Sequence, residues 1–161
     1  MSAQGQGNAD DLHELDARLR TNPASALAVI DDYLRRYPGH RLFTVLAIDW
    51  TRHENRRIYS SNPDSYACGG SKPLVPGSAF HQEVILGNRA RICPDRASCI
   101  QAFPDFDLIF SLHCESAINV PIRRSDRTIG SLNLLHKAHW YQPAMTALLT
   151  RVAGLAAPFL P

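Results

Sequence analysis

Apolar positions recur at helical spacing near the start of the chain and again at its end, with β-type runs between them. Asp10 and Asp11 open a first helix with Leu12, Leu15 and Leu19 on one face. Asn22 is a good cap and Pro23 suits a first helical position, so a second helix is predicted there. Its apolar face is Leu27, Ile30 and Leu34, flanked by Ala26, Tyr33 and Tyr37, and Pro38-Gly39 ends it. Leu42 to Trp50 is predicted as a strand, and Arg56 to Ser61 returns as a second. Asn62 to Gly77 carries three prolines and three glycines and is predicted as a long loop. Ser78 caps a short helix over Ala79 to Leu86, and Arg89 to Cys93 is a short strand stopped by Pro94. Asp95 caps a helical turn through Ser98, Ile100 and Phe103, and Pro104 breaks it. Phe106, Ile109 and Phe110 then fall at helical spacing and can roof a cavity. Gln142 to Phe159 is predicted as a closing helix, with Met145, Leu148, Leu149, Val152 and Leu155 on one face.

The stretch from Glu115 to His136 is the most informative. Two β-rich runs, about 116–124 and 128–136, flank the turn signal Ser125-Asp126-Arg127. A turn centred on Asp126 sets Ile118 opposite Leu134, Val120 opposite Leu132 and Ile122 opposite Gly130 on one face. The other face then sets Asn119 opposite Asn133, with Ser131 and Ala117 nearby. Slipping by one residue would mix polar and apolar positions on both faces. One side is therefore apolar enough to bury under helices, and the other suits the floor of a ligand pocket. The element order gives an α+β fold: an antiparallel sheet with terminal helices on one face and connecting segments on the other.

Composition narrows the reading. The 161 residues suit one domain, with 1–9 expected to be disordered and 10–161 forming a single domain with an N-terminal helical extension. The net charge is +2 and no block of like charge occurs, which argues against nucleic acid as a partner. No apolar run reaches the length that spans a membrane. The N-terminus lacks the features of a secretory signal, so a cytoplasmic location with reduced thiols is expected. Cysteines stand at 68, 93, 99 and 114 without any CxxC spacing. Cys93, Cys99, His113 and Cys114 match no known zinc spacing, and neither a metal nor another cofactor is expected.

The run Ser116-Ala117-Ile118-Asn119-Val120-Pro121-Ile122, a turn, Ile129-Gly130-Ser131-Leu132-Asn133-Leu134 and a terminal helix resembles the C-terminal half of GAF domains. The resemblance covers about residues 24–160, and the related PAS fold shares much of the layout. It implies five or six antiparallel strands, a pocket between the sheet and the crossover segments, and frequent homodimers through terminal helices. It also implies a sensor of small molecules that acts alone or in trans, without catalytic activity of its own. The pocket expected on that basis is Tyr59, Phe80, Ile92, Phe106, Phe110, Asn119, Ser131 and Asn133, with the two asparagines offering donors and acceptors to a small organic ligand.

Within this family the free methionine-R-sulfoxide reductases use cysteines around the pocket. Here Cys114, with Cys93 or Cys68, is the alternative thiol set, although its spacing to the Val-Pro-Ile run is shorter than in those enzymes. The signature of the cyclic-nucleotide class is absent. Bilin attachment is not favoured, because His113-Cys114 has the expected order reversed. His81 is read as solvated, and Arg123, Arg124 and Arg127 as a solvated hairpin tip.

Overall fold

A computed structural model describes residues 9–161; the segment expected to be disordered falls almost wholly outside the described residues. Six antiparallel strands form one sheet: β1 (Leu42–Asp49), β2 (Glu54–Ser60), β3 (Ser71–Pro73), β4 (Arg91–Cys93), β5 (Ser116–Arg124) and β6 (Arg127–His136). Their order across the sheet is β3-β2-β1-β6-β5-β4. The long hairpin thus lies at the centre of the fold, with β6 between β5 and β1.

The hairpin register agrees with the sequence reading over most of its length. Ile118 faces Leu134, Asn119 faces Asn133, Val120 faces Leu132 and Ile122 faces Gly130. Beyond Ile122 a bulge shifts the pairing, so Arg123 faces Thr128 and Arg124 faces Arg127. Ser125 takes a positive φ of 55° in the tight turn that results.

Helices α1 (Ala9–Thr21), α2 (Ala26–Arg36) and α5 (Thr146–Ala156) form the layer behind the sheet. Leu15, Ile30, Leu34, Leu149 and Val152 from this layer bury against Phe43, Val45, Ile118, Val120, Leu132 and Leu134 from the strands. The alternation along each strand makes this possible, because every second side chain reaches the same core. The closing segment is shorter as a helix than predicted: 3-10 turns at Pro143–Met145 and Ala157–Phe159 bracket α5, each with proline in its first turn. Among the described residues the exposed large hydrophobics are Val75, Leu86, Ile100 and Leu108, none of them on this layer.

The opposite face carries the crossover segments. A π-helical segment (His81–Leu86), α3 (Arg96–Ala102) and α4 (Phe106–Ser111) connect β3 to β4 and β4 to β5. The π turn starts where Ser78 was predicted to cap: its Oγ accepts from the His81 amide at 3.1 Å. At α3 the predicted cap is a reciprocal pair, with the Asp95 carboxylate accepting from Ser98 N at 2.9 Å and Ser98 Oγ from Asp95 N at 3.2 Å. A second apolar cluster forms here from Leu42, Tyr66, Cys93, Cys99, Ile109, Cys114, Ala117 and Leu135. The sequence predicts loop at β3, because Ser71-Lys72-Pro73 has no apolar alternation; the strand is ordered by pairing with Glu54, Asn55 and Arg56 of β2.

At the end of β6, His136 stacks on Trp140 with ring centroids 3.8 Å apart. Burial, then the nearby Arg41 and Lys137 charges, lowers the His136 pKa to about 4. Its Nδ1 accepts from the Lys137 amide at 2.7 Å, a bond that protonation would break. Because the folded pKa lies below the unfolded one, this site's contribution is complete above about pH 6.5 and is lost as pH falls towards 4. A sealed site would lose about 3 kcal/mol, and half-burial reduces that to about 1–2 kcal/mol. His136→Phe, which keeps the stack, is expected to flatten this part of the acid limb in urea melts between pH 7 and 4. An unchanged limb would assign it to other groups.

Candidate functional site

Between the free sheet face and the crossover segments lies a cavity of about 600 Å³. This is within the range of small-molecule pockets. Its floor follows from strand register. Arg91 of β4 pairs with Asn119 of β5, Asn119 with Asn133 of β6, and Asn133 with Thr44 of β1, so four polar side chains share one cross-strand row. Leu46 and Leu135 extend the floor, and Phe80, Ile85 and Phe103 close over it from the crossover side.

The row is hydrogen-bonded along its length. Arg91 Nε donates to Asn119 Oδ1 at 3.1 Å, and Asn119 Nδ2 donates to Asn133 Oδ1 at 2.8 Å. Ser131 Oγ donates to the same Asn133 oxygen at 3.1 Å, while Asn133 Nδ2 reaches the Thr44 carbonyl at 3.4 Å. The two amides therefore satisfy much of each other's capacity. Their consequence is to fix the guanidinium of Arg91, which is buried with 9% of its surface exposed. The Phe80 and Phe103 rings lie 5.4 and 5.6 Å from its central carbon.

The second polar corner is built by β2 and the loop after it. Arg57 lies over the Tyr66 ring at 3.7 Å and donates to the Ala67 carbonyl at 2.8 Å. Tyr66 donates to Asp105 at 2.5 Å. Burial, then this bond to a carboxylate, raises the Tyr66 pKa, so the phenol stays protonated. Among the described residues, five buried side-chain nitrogen or oxygen atoms lack a hydrogen-bond partner, and three are on residues that line the cavity: Asn55 Oδ1, Arg57 Nε and His81 Nδ1. Orphaned buried polar atoms are uncommon in folded proteins and call for a partner.

Four of the eight expected pocket residues border this cavity: Phe80, Ile92, Asn119 and Asn133. Ile92 does so although its pairing with Ile118 packs it against the helical-layer core. Ser131 is on the same sheet face, opposite Leu46 and bonded to Asn133, but does not border the cavity. Tyr59 lies on the other face: it pairs with Val45 and donates to Asp31 of α2 at 2.5 Å. Phe106 and Phe110 pack on each other, with Arg96 over Phe110 at 4.1 Å, and do not reach the cavity. His81, read as solvated, is on the wall. The hairpin arginines are also engaged: Arg124 donates to the Ala157 and Leu160 carbonyls, and Arg127 covers the Trp50 ring at 4.0 Å.

Arg91, Arg57, Tyr66 and Phe103 also line the cavity, beyond the residues that the sequence predicts. Arg91 had a legible signal. Once β4 is paired to β5, its alternation puts Arg91 on the asparagine face.

All four cysteines are free thiols. Cys93 borders the cavity, Cys99 and Cys114 are sealed in the second apolar cluster, and Cys68 is exposed on the loop after β2. Burial raises the Cys93 pKa and pushes Cys99 up to about 12 and Cys114 up to about 11. Such thiols are poor nucleophiles at neutral pH. Among the described residues no group of three or more His, Cys, Asp or Glu side chains is arranged to hold a metal ion. No described helix is long and apolar enough to cross a membrane.

The sheet order, with terminal helices on one face and a cavity under the crossover segments on the other, defines the class of α+β domain. The GAF domain model matches residues 16–158, and the chain belongs to that family. Among solved structures, the GAF domain of an Acinetobacter phosphoenolpyruvate-protein phosphotransferase is similar at TM-score 0.74 and 10% identity, covering 96% of this chain and 93% of that one. Residues 122 to 287 of a methyl-accepting chemotaxis protein are similar at 0.67 and 15% identity, over 90% and 93% of the two chains. A type II free methionine-R-sulfoxide reductase from Thermoplasma acidophilum is similar at 0.61 and 16% identity, over 90% or more of each chain (92% and 92%). At these identities the likeness is one of fold. A search of curated proteins finds no match.

Proposed function

We propose that this chain is a sensory or regulatory domain that binds a small organic molecule in the 600 Å³ cavity and does no chemistry on it. The observation that carries this reading is the cavity itself, floored by the hydrogen-bonded row of Arg91, Asn119 and Asn133 and walled by Phe80 and Phe103. A mostly apolar wall with a few fixed polar groups is what recognition of a small molecule needs. The burial of Cys114 and its raised pKa support recognition over thiol catalysis.

The test is a thermal-shift screen of the purified chain against a metabolite panel of acids, bases and neutral compounds. A ligand at about 100 times its Kd adds about 2.7 kcal/mol, or roughly 5–10 °C in a domain of this size. Asn119→Leu is expected to abolish the shift, because it removes the middle of the polar floor and the anchor of Arg91. An undiminished shift in that variant would move the site elsewhere. Native mass spectrometry of the same sample reads subunit number, and a monomer would remove the homodimer that the family resemblance implies.

A further inference from the structure

We propose that the ligand is a small organic carboxylate, its anionic group held by Arg91 and its apolar body lying beside Phe80 and Phe103; this rests on the binding reading above. Arg91 is the deepest cation on the cavity wall. Its Nε is taken by Asn119, and among the described residues neither terminal nitrogen has a hydrogen-bond partner. No carboxylate among the described residues lies within 4.0 Å of it, since none of the ion pairs there includes Arg91. The two acids on the wall do not fill that role: Asp105 is bound by Tyr66, and Glu83 stands outside ion-pair distance. Arg57, Lys72 and Arg91 face Glu83 and Asp105 around the cavity, three cations against two anions.

A guanidinium buried without a counter-ion is costly, and its planar fork matches a carboxylate in two parallel bonds. Asn119 fixes the orientation of that fork, because an arginine anchored at Nε presents its terminal nitrogens in one direction. The two aromatic rings beside the guanidinium give an apolar body something to pack on. A phosphate, with more charge and more acceptors, would need donors besides Arg91; of the other wall cations, Arg57 already covers Tyr66 and donates to Ala67, and Lys72 is exposed on β3.

The experiment measures binding to the unaltered chain at pH 7 by calorimetry. The probes are benzoate, phenylacetate, 3-phenylpropionate and hexanoate, the primary amide of each, and phenyl phosphate. At least one acid is expected to bind, with its amide about 10- to 100-fold weaker. Arg91→Gln should reduce the acid to the level of its amide, and Arg91→Lys should fall between. Amides that equal their acids, phenyl phosphate that outbinds every carboxylate, or Arg91→Gln that leaves acid affinity unchanged would each overturn the inference. The comparison of acid with amide needs no variant, so it stands even if Arg91→Gln does not fold. If no acid binds, this inference is lost. The cavity reading then survives only if neutral or basic members of the metabolite panel bind, and both fall if nothing does.

Discussion

Asp31→Ala is expected to cost about 3–5 kcal/mol at pH 7 and to lower the thermal midpoint by roughly 10 °C. Asp31 is 5% exposed and sits on α2 where that helix meets the sheet. It takes His40 Nε2 at 2.7 Å and the Tyr59 hydroxyl at 2.5 Å, with Arg35 at 3.8 Å. Removing the carboxylate leaves both donors buried without partners, which costs more than the bonds themselves contribute. Asp31→Asn keeps the shape and one acceptor and should cost less than half as much.

The acid dependence supplies a second readout. Burial pushes the Asp31 carboxyl up, but the His40 and Tyr59 bonds and the His40 and Arg35 charges outweigh it and leave the pKa below 3.8. A depressed folded pKa gives stability that is complete above the unfolded value and lost as pH falls through the folded one. The gap between wild type and Asp31→Ala should therefore be full at pH 6 and narrow below about pH 3.8. Urea melts at the two ends of that range check this, and a gap under about 1 kcal/mol at pH 6 would remove Asp31 from the core of the helical layer.

Gly130→Ala is expected to be nearly as damaging, at about 3 kcal/mol or more. A Cβ at Gly130 would stand 2.2 Å from the Leu46 carbonyl oxygen and 2.6 Å from Leu160 Cδ2. Leu160 can turn aside, but Leu46 is backbone of the neighbouring strand. Gly130 pairs with Ala47 on one side and Ile122 on the other, so neither strand can retreat without breaking ladder bonds. Gly154 of α5 is the control: a Cβ there meets nothing within 4 Å, and Gly154→Ala should stabilise by about 0.5–1 kcal/mol through helix propensity. If the two glycines tolerate alanine equally, close approach is not what holds residue 130.

The central hairpin was legible because its two faces differ in polarity. Only one register sorts Ile118, Val120, Leu132 and Leu134 from Asn119 and Asn133, and that register is found. The helices were legible from the spacing of Leu15, Ile30, Leu34 and Val152, all of which are buried. Sequence reasoning puts Tyr59 in the pocket and the structure puts it on the other face, because β2 is half-buried along its length without clean alternation and a bulge beside Val45 alters which way its residues point. Phe106 and Phe110 lie away from the cavity, which the sequence does not reveal because an aromatic pair at helical spacing gives no clue to the neighbour it packs on. The cavity wall was the least legible part. Arg57, Tyr66, Phe103 and Arg91 come from four separate stretches, and only the tertiary fold makes them neighbours.

The two outermost strands are three residues each, and one of them, Ser71-Lys72-Pro73, is fully exposed. A proline there removes a donor, and a lysine would bring a charge into any new pairing. The other margin is followed at once by Pro94 and the capped start of α3. Both borders thus discourage extension by a strand from another molecule. The protein should stay free of edge-to-edge fibrils at concentrations where a long, flat, apolar border would polymerise.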